Sequence, residues 1–307
     1  KNETTNIESV NKLIKINSNE EKFYIEETLN QIKIISSDFN YIYNKNTSTF
    51  DFIESLKEVF IDAPLEFTIW RAPTDNDRKI KNPWIEAGFN QITTNVYSTE
   101  IKEYPNKVEI ISSLSLIPPY REKVVDVIVT WSIYSCGLIN CDIKANKNMR
   151  TPFLPRFGVQ LKLNKSYEDV SYFGFGPYEN YIDKNSCCYL GRFNSKVSEI
   201  HEDYIKPQEN GSHHFCREVS ITNNTGKIYV LSENDFAFNV SHFSVNQLTN
   251  TSHNFDLNEE DLTYLIIDYK QSGIGSNSCG PDLPEEYRFN EEEFSYNFYL
   301  KFIKTNL

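Results

Sequence analysis

The sequence predicts an all-β protein folded as a large antiparallel β-sandwich. Apolar and polar residues alternate with period two along the middle and end of the chain, which places every second side chain on one face of a sheet. The chain is rich in aromatic residues, with 19 Tyr and 21 Phe, and these favour the pleated surface of a sheet. No amphipathic segment of helical length competes with the strands. Many strands with one apolar face, separated by loops, indicate a sandwich.

The N-terminal segment differs from the rest in composition. Residues 1–20 are rich in Asn, Glu, Lys and Ser, which is typical of a linker or a disordered terminus. We expect residues 21–307 to form a single β-sandwich domain. Three short β-prone runs open this domain and predict an antiparallel meander: Phe23–Ile25, Ile32–Ile34 and Tyr41–Tyr43.

Five later runs predict strands with one buried face. Their apolar positions are Val125, Val127, Val129, Trp131 and Ile133; Ile139, Cys141, Ile143 and Ala145; Phe157, Val159, Leu161 and Leu163; Phe236, Phe238 and Val240; and Phe294, Tyr296, Phe298, Leu300 and Phe302. The opposite faces carry Thr130, Ser132, Lys162, Asn239 and Lys301, so we expect these sheets to meet water on one side. One short helix is predicted within 82–88, because Pro83 can open it and Gly88 can close it.

Composition excludes several classes of function. A formal charge of −12 without a basic cluster argues against a nucleic-acid or anionic-membrane partner. No apolar run approaches the roughly 18 residues of a membrane span, and residues 1–20 lack the apolar core of a signal peptide. Six cysteines are too few for a disulfide scaffold and predict free thiols in a reducing, cytoplasmic compartment. Neither the cysteines nor the His213-His214 pair has metal-ligand spacing, so no metal site is predicted.

A polar loop follows Trp70, with the sequence Arg71-Ala72-Pro73-Thr74-Asp75-Asn76-Asp77-Arg78. Proline fixes one φ angle, and Asp and Asn can bond their own backbone, so the segment is predicted to be an ordered loop. On local chemistry alone, the simplest interpretation is a structural turn held by side-chain hydrogen bonds.

Three further segments carry glycines in polar surroundings. The segment 173–183 contains Gly-Phe-Gly-Pro followed by Glu179, Asn180 and Asp183; it lacks the third glycine and the helix of a dinucleotide site. The segment 207–211 reads Pro-Gln-Glu-Asn-Gly. The segment 273–281, Gly-Ile-Gly-Ser-Asn-Ser-Cys-Gly-Pro, predicts a loop that permits a ligand to approach the backbone closely, although an ordinary loop is an equal alternative.

With a Leu…His…Leu segment at 248–257, these motifs resemble, in order, the C-terminal β-sandwich domain of bacterial β-galactosidases of glycoside hydrolase family 2. The resemblance runs from about residue 30 to the C-terminus and implies a supersandwich of the galactose-mutarotase-like type. It implies a domain that completes the galactose pocket and supports assembly of an enzyme hydrolysing terminal β-D-galactosides such as lactose. The implied partner is a catalytic barrel domain or large subunit, in an enzyme expected to be a homo-oligomer.

The catalytic residues are expected to lie outside this chain. Retaining glycosidases use two carboxylates about 5–5.5 Å apart. The resemblance implies that both glutamates belong to a (β/α)8 barrel, and this chain shows no strand-helix alternation that could build one. We therefore expect no catalytic residue, metal or cofactor here, and no activity from the chain alone. Mg²⁺ and Na⁺ are expected in the barrel domain of the full enzyme.

The resemblance also implies which residues face the sugar. Many family members end in a similar Gly-x-Gly-Ser-x-Ser-Cys-Gly-Pro loop, whereas others carry, in place of Cys279, a Trp that lines the galactose site. The contact of Cys279 with sugar should therefore be weaker than that of the Trp. The expected substrate-binding residues are Asn277, Ser278 and Cys279, together with Arg71, Asp75, Asn76 and Asp77. A mobile loop is expected to begin at Gly158, and Lys79 stands where the family commonly has Gly.

Two alternative functions remain open at this point. A self-sufficient aldose epimerase of the mutarotase-like fold would need a His and a carboxylate facing each other across a sugar ring. A freestanding carbohydrate-binding module would bind galactosides in isolation, whereas a domain that supplies one wall of a pocket would bind them weakly or not at all.

Overall fold

Residues 23–305 are described by the structure, a computed structural model, and their regular secondary structure is mostly antiparallel strands. A five-stranded sheet pairs in chain order and consists of β1 (Tyr24–Glu27), β2 (Gln31–Ile35), β3 (Phe39–Asn44), β4 (Thr49–Ser55) and β5 (Glu58–Ile61). A twelve-stranded sheet contains β6 (Glu66–Thr68), β7 (Thr93–Tyr104), β8 (Lys107–Ile117), β9 (Val125–Tyr134), β10 (Ile139–Lys147), β11 (Arg156–Asn164), β12 (Asp169–Gly176), β13 (Tyr189–Lys196), β14 (His213–Thr222), β15 (Gly226–Ser241), β16 (Leu262–Gln271) and β17 (Glu293–Lys304).

The helices are short and lie in the connections. They are α1 (Lys81–Glu86), α2 (Val197–Ile200) and α3 (Val245–Asn250), with single 3₁₀ turns at Asp75–Asp77, Phe89–Gln91, Asn254–Asp256 and Glu285–Tyr287. The helix predicted within 82–88 is confirmed as α1, and Gly88 follows its C-cap with a φ of 77°, in the left-handed region that favours glycine.

The larger sheet divides at β15, its longest strand. Residues 226–231 of β15 pair with β17, which continues through β10, β9 and β8 to β7. Residues 237–241 of the same strand pair instead with β16, which continues through β11 to β6. The two branches pack together through Phe157 of β11 and Phe294 of β17, whose ring centroids are 4.9 Å apart. Because β6 and β16 belong to the same branch, the loops that follow these two strands leave the sheet from that branch.

The five-stranded sheet covers the other branch with aromatic side chains. Phe50 of β4 meets Trp131 of β9 at a centroid distance of 5.2 Å, edge to face. The polar atoms of these rings are hydrogen-bonded. Trp131 Nε1 donates to the Ser48 carbonyl at 3.0 Å, and the Tyr41 hydroxyl donates to the Gly137 carbonyl at 2.8 Å. Buried aromatic rings whose polar atoms are bonded stabilise a core without an unpaired donor.

The strand predictions are confirmed where alternation is strongest. Every apolar position of the five predicted runs is buried, and the predicted meander corresponds to β1, β2 and β3. The expectation of a uniformly wet opposite face is wrong at Ser132 and Asn239, which are buried. Asn239 is covered because its side chain donates to the Asn210 carbonyl at 2.6 Å in the loop that lies over it. The linker predicted at 1–20 lies outside the described residues.

The loop expected to begin at Gly158 is a strand in this structure. Gly158 lies inside β11, paired with β16 on one side and β6 on the other. A Cβ at this position would lie 2.3 Å from Asp268 Oδ1 and 2.6 Å from the Ile267 carbonyl oxygen. Glycine is thus required because β16 approaches too closely for any side chain.

We expect Gly158→Ala to lower the free energy of unfolding by about 3 kcal/mol, because the added methyl meets the backbone of a central strand. Gly191→Ala is the matched control: Gly191 lies in the edge strand β13, and the three atoms nearest to its Cβ would be side-chain ring atoms, the first at 3.0 Å on Phe193. It should cost about 1 kcal/mol or less. Urea unfolding measures both, and equal losses would contradict this account of Gly158.

Candidate functional site

The polar loop after β6 is held by a buried ion pair. The Arg71 side chain is fully buried, and its Nη2 and Nε donate to the two carboxylate oxygens of Asp77 at 2.8 and 3.2 Å. The Asp77 carboxylate also accepts a hydrogen bond from the backbone N–H of Thr74 at 2.9 Å, at the start of the 3₁₀ turn Asp75–Asp77. Burial would lower the pKa of Arg71, yet the Asp77 carboxylate together with Glu209 and Tyr181 outweighs burial and leaves the pKa above its usual value.

The same arginine ties this loop to the loop that follows β16. Arg71 Nη1 donates to the carbonyl of Ser272 at 2.5 Å, and Nη2 donates to that of Gly273 at 3.0 Å. Arg71 and Asp77, both predicted to bind substrate, are buried, and their charged groups bond to each other. Their role in this structure is to hold the two loops together.

Asn76 joins the two loops a second time. Its Nδ2 donates to the Gly275 carbonyl at 2.8 Å, and its Oδ1 accepts the backbone N–H of Ser278 at 3.0 Å. Asn277 is also buried, and it closes its own loop by donating to the Gly280 carbonyl at 3.0 Å and to Asp282 Oδ1 at 2.9 Å.

A third segment reaches the same loop through Asp183. Its two carboxylate oxygens accept the backbone N–H groups of Ile274 and Gly275 at 2.8 and 2.7 Å. A Cβ on Gly273 would lie 2.6 Å from the Asp183 carboxyl carbon, so a side chain there would displace this carboxylate. The motif around Gly176 therefore supports the loop at 273–281 directly.

A second buried ion cluster lies beneath the loops. Arg156 of β11 forms a two-bond pair with Asp268 of β16, at 3.0 and 2.6 Å, and also donates to Glu209 at 3.2 Å. Burial raises the pKa of Glu209 and of Asp268, although the Arg156 charge opposes it in both. Glu209 belongs to the Pro-Gln-Glu-Asn-Gly segment, and its backbone N–H donates to the Ala72 carbonyl at 2.9 Å.

The loops enclose a polar cavity of about 520 Å³. It is lined by Thr74, Asp75, Asn76, Glu179, Tyr181, Asp183, Lys184, Tyr204, Gln208, Glu209, Ile274, Gly275 and Ser278. On its wall, Glu179 accepts from Lys184 Nζ and from the Tyr204 hydroxyl, both at 2.5 Å.

Two buried polar atoms near this cavity have no protein partner within residues 23–305. One is the hydroxyl of Tyr181, a cavity residue that is 1% exposed. The other is Nε2 of His214, whose ring lies 5.7 Å from that of Tyr181, centroid to centroid. Burial, aided by the charge of Arg156, lowers the pKa of His214 to about 3, so this ring is neutral at pH 7.

A second cavity of about 300 Å³ lies on the other side of Asn76. Its lining is less polar and includes Ile80, Pro83, Phe153 and Leu283. An exposed pair, Lys79 Nζ with Asp282 Oδ1 at 2.8 Å, crosses the gap between the two loops here. Lys79 therefore forms an ion pair at the protein surface.

The structure brings all seven predicted substrate-binding residues into these two linked loops, but it divides them. Asp75, Ser278 and Cys279 are exposed, and the first two line the polar cavity. Asp77 and Asn277 are buried but belong to the lining of the second cavity, and the half-buried Asn76 lines both cavities. Arg71 is buried and lines neither cavity. Sequence reasoning missed the cavity residues Glu179, Tyr181, Lys184, Tyr204, Gln208 and Glu209. The available signal was the pair of glycine-containing motifs in which four of these six lie.

We expect Arg71→Met to lower the free energy of unfolding by about 3–5 kcal/mol, because it leaves the buried Asp77 carboxylate without its charge partner. Lys79→Met is the matched control, since the Lys79 and Asp282 side chains are 60% and 61% exposed. Loss of such a pair should cost about 0–1 kcal/mol. Urea unfolding of both variants measures the difference; similar values would show that Arg71 does not hold the loops.

Membrane and metal features are absent from the described residues. No helix within 23–305 has the length and hydrophobicity that a membrane span requires. The same part of the chain has no group of three or more His, Cys, Asp or Glu side chains placed to hold a metal ion.

The fold has a known counterpart. The galactose 1-epimerase of Lactobacillus acidophilus NCFM superposes with a TM-score of 0.51 over 93% of this chain and 99% of its own, at 9% sequence identity. Such low identity shows a shared galactose-mutarotase-like fold and nothing about chemistry.

Sequence comparison is more specific. The β-galactosidase of Staphylococcus xylosus is 39% identical over 287 residues, which is 93% of this chain and 29% of that protein. The β-galactosidase of Actinobacillus pleuropneumoniae is 37% identical over 99% of this chain and 30% of that protein. The chain therefore spans about 30% of the length of these relatives. Residues 35–300 match the family described as "Beta galactosidase small chain". The chain belongs to the β-galactosidase small-chain family.

Proposed function

We propose that this chain completes one wall of the galactose-binding pocket of a β-galactosidase and supports assembly of that enzyme. The full enzyme would hydrolyse terminal β-D-galactosides such as lactose. The nucleophile and the acid/base glutamate would come from a barrel domain outside this chain, so the chain alone would be inactive.

The observation that carries this proposal is the double link between the loops at 71–79 and 273–282. Arg71 bonds to Asp77 in its own loop and to Gly273 in the second loop. From the first loop, Asn76 makes two further bonds to the second loop, and Asp183 supports the second loop from a third segment. The links hold the exposed Asp75, Ser278 and Cys279 on a rigid support. A rigid wall suits catalysis, because misplacing a substrate by about 1 Å can cost roughly a hundredfold in rate.

The polar cavity beside this wall also supports a sugar-facing role. Its volume, about 520 Å³, lies within the range of small-molecule sites. Its lining offers donors and acceptors together, and the Tyr181 hydroxyl still lacks a partner among the described residues. Hydroxyl groups of a sugar both donate and accept, so they suit such a mixed lining.

The rest of the proposed enzyme follows from the length of the relatives. The chain spans about 30% of the length of these relatives, which supports a partner that is the catalytic barrel domain or large subunit. The full enzyme would be a homo-oligomer. Mg²⁺ and Na⁺ would bind in that barrel. All six cysteines are free thiols, which supports the cytoplasm as the compartment.

The aldose epimerase alternative finds less support in the cavity. That chemistry needs a His and a carboxylate on opposite sides of the sugar. Neither cavity has a His among its lining residues within the described chain, although Glu179 and Glu209 supply carboxylates.

A chimera tests the proposal. In the β-galactosidase of Staphylococcus xylosus, the segment that matches this chain is replaced by residues 1–307. We expect the chimera to hydrolyse lactose with at least about a tenth of the parent kcat/KM, because the wall retains its geometry. The parent enzyme lacking that segment, and the isolated chain, should release no galactose. Galactose release by the isolated chain, or a folded chimera no more active than the truncated enzyme, would refute the proposal.

The same chimera tests the wall position directly. Cys279→Trp should lower KM for lactose about fivefold, since an aromatic contact contributes about 1 kcal/mol. Tyr24→Trp, an exposed aromatic position in the five-stranded sheet, is the control and should leave KM unchanged. An unchanged KM in Cys279→Trp would place the galactoside elsewhere.

A further inference from the structure

Two adjacent cysteines lie outside the wall described above. Cys187 and Cys188 end the turn before β13; Cys187 is exposed and Cys188 is half-buried. Their Sγ atoms are 3.9 Å apart. The turn is held by the Cys188 N–H, which donates to the Asn185 carbonyl at 2.9 Å, and by Asn185 Nδ2, which donates to the Ile182 carbonyl at 3.1 Å.

The pair is not suited to form a disulfide with itself. Residues joined by a trans peptide bond have Cα atoms about 3.8 Å apart, and the peptide bond between Cys187 and Cys188 is trans. Unstrained disulfides join Cα atoms about 4.4–6.8 Å apart. The two thiols are therefore expected to persist side by side.

We propose that Cys187 and Cys188 form a chelating site for trivalent arsenicals of the arsenoxide class. This site is separate from the galactoside wall and does not depend on the proposed function.

The sulfur separation supports chelation of one thiophilic centre. Two thiolates that share one tetrahedral zinc ion, each at about 2.3 Å, lie about 3.8 Å apart. A structural zinc ion is coordinated by four ligands. The part of the chain that the structure describes has no group of three or more His, Cys, Asp or Glu side chains that could coordinate one. An arsenoxide that carries one organic group needs only two thiols to complete its three bonds.

The condensation balances with the thiols as they stand in the chain. Burial, with the hydrogen bond to Cys187, raises the pKa of Cys188, so its thiol keeps its proton at pH 7. In the condensation, two arsenic–sulfur bonds form and the arsenic–oxygen bond breaks. The two thiol protons leave with that oxygen as water, and no atom is oxidised or reduced.

The test uses phenylarsine oxide with the purified 307-residue chain, and intact mass and free-thiol counts as readouts. One equivalent should bind, withstand excess 2-mercaptoethanol and be released by dithiothreitol. Cys187→Ser and Cys188→Ser should each weaken binding by about 100-fold or more, because the second thiol acts at high effective concentration. Cys136→Ser, in the turn between β9 and β10, is the matched control and should bind as the unmodified chain does.

Two outcomes would overturn the proposal. One is release of the arsenical from the unmodified chain by 2-mercaptoethanol alone. The other is tight retention of one equivalent by either serine variant. Circular dichroism checks that each variant is folded, and Cys187→Ser, whose side chain is exposed, decides the matter if Cys188→Ser does not fold.

Discussion

The buried guanidinium of Arg71 is the group on which the candidate site depends. A charge removed from water must be paired, and Arg71 meets this requirement only if the loop at 71–79 and the loop at 273–282 are both in place. Asp77 supplies the opposite charge from one loop, and the carbonyls of Ser272 and Gly273 supply acceptors from the other. Displacing either loop would leave buried polar groups unpaired, so the two loops are expected to behave as one unit.

The strands beneath the two loops support this pairing. β11 and β16 are neighbours, and their Arg156–Asp268 pair places a second buried charge cluster directly beneath the loops. Gly158 lets the two strands approach closely enough for Asp268 to lie against β11. Glu209 connects the two levels, because its carboxylate accepts from Arg156 while its backbone N–H bonds to Ala72, next to Arg71. Polar contacts thus extend without a break from the sheet to the surface loops.

Local sequence patterns were sufficient to predict eight of the seventeen strands in residues 23–305 and insufficient to assign the site. Alternation identified the buried positions of β9 and β17 because burial on one face of a strand follows a period of two. Asp75 and Asp77 belong to one motif, yet the 3₁₀ turn exposes Asp75 and buries Asp77, and no local pattern distinguishes them. The partners of Asn76 and Asp183 lie 199 and 92 residues away in the chain, so their roles appear only after folding. The same reason explains Asn239, which reads as a solvent-facing residue until a distant loop covers it.

Amide hydrogen exchange measures whether the two loops form one rigid unit. The backbone N–H groups of Ile274 and Gly275 donate to Asp183, and that of Ser278 donates to Asn76. We predict that these three amides exchange slowly, at rates comparable with those of the paired strand β16, and that Asn76→Ala accelerates Ser278 in particular. Exchange of all three amides at the rate of an unstructured loop in the unmodified chain would contradict the account.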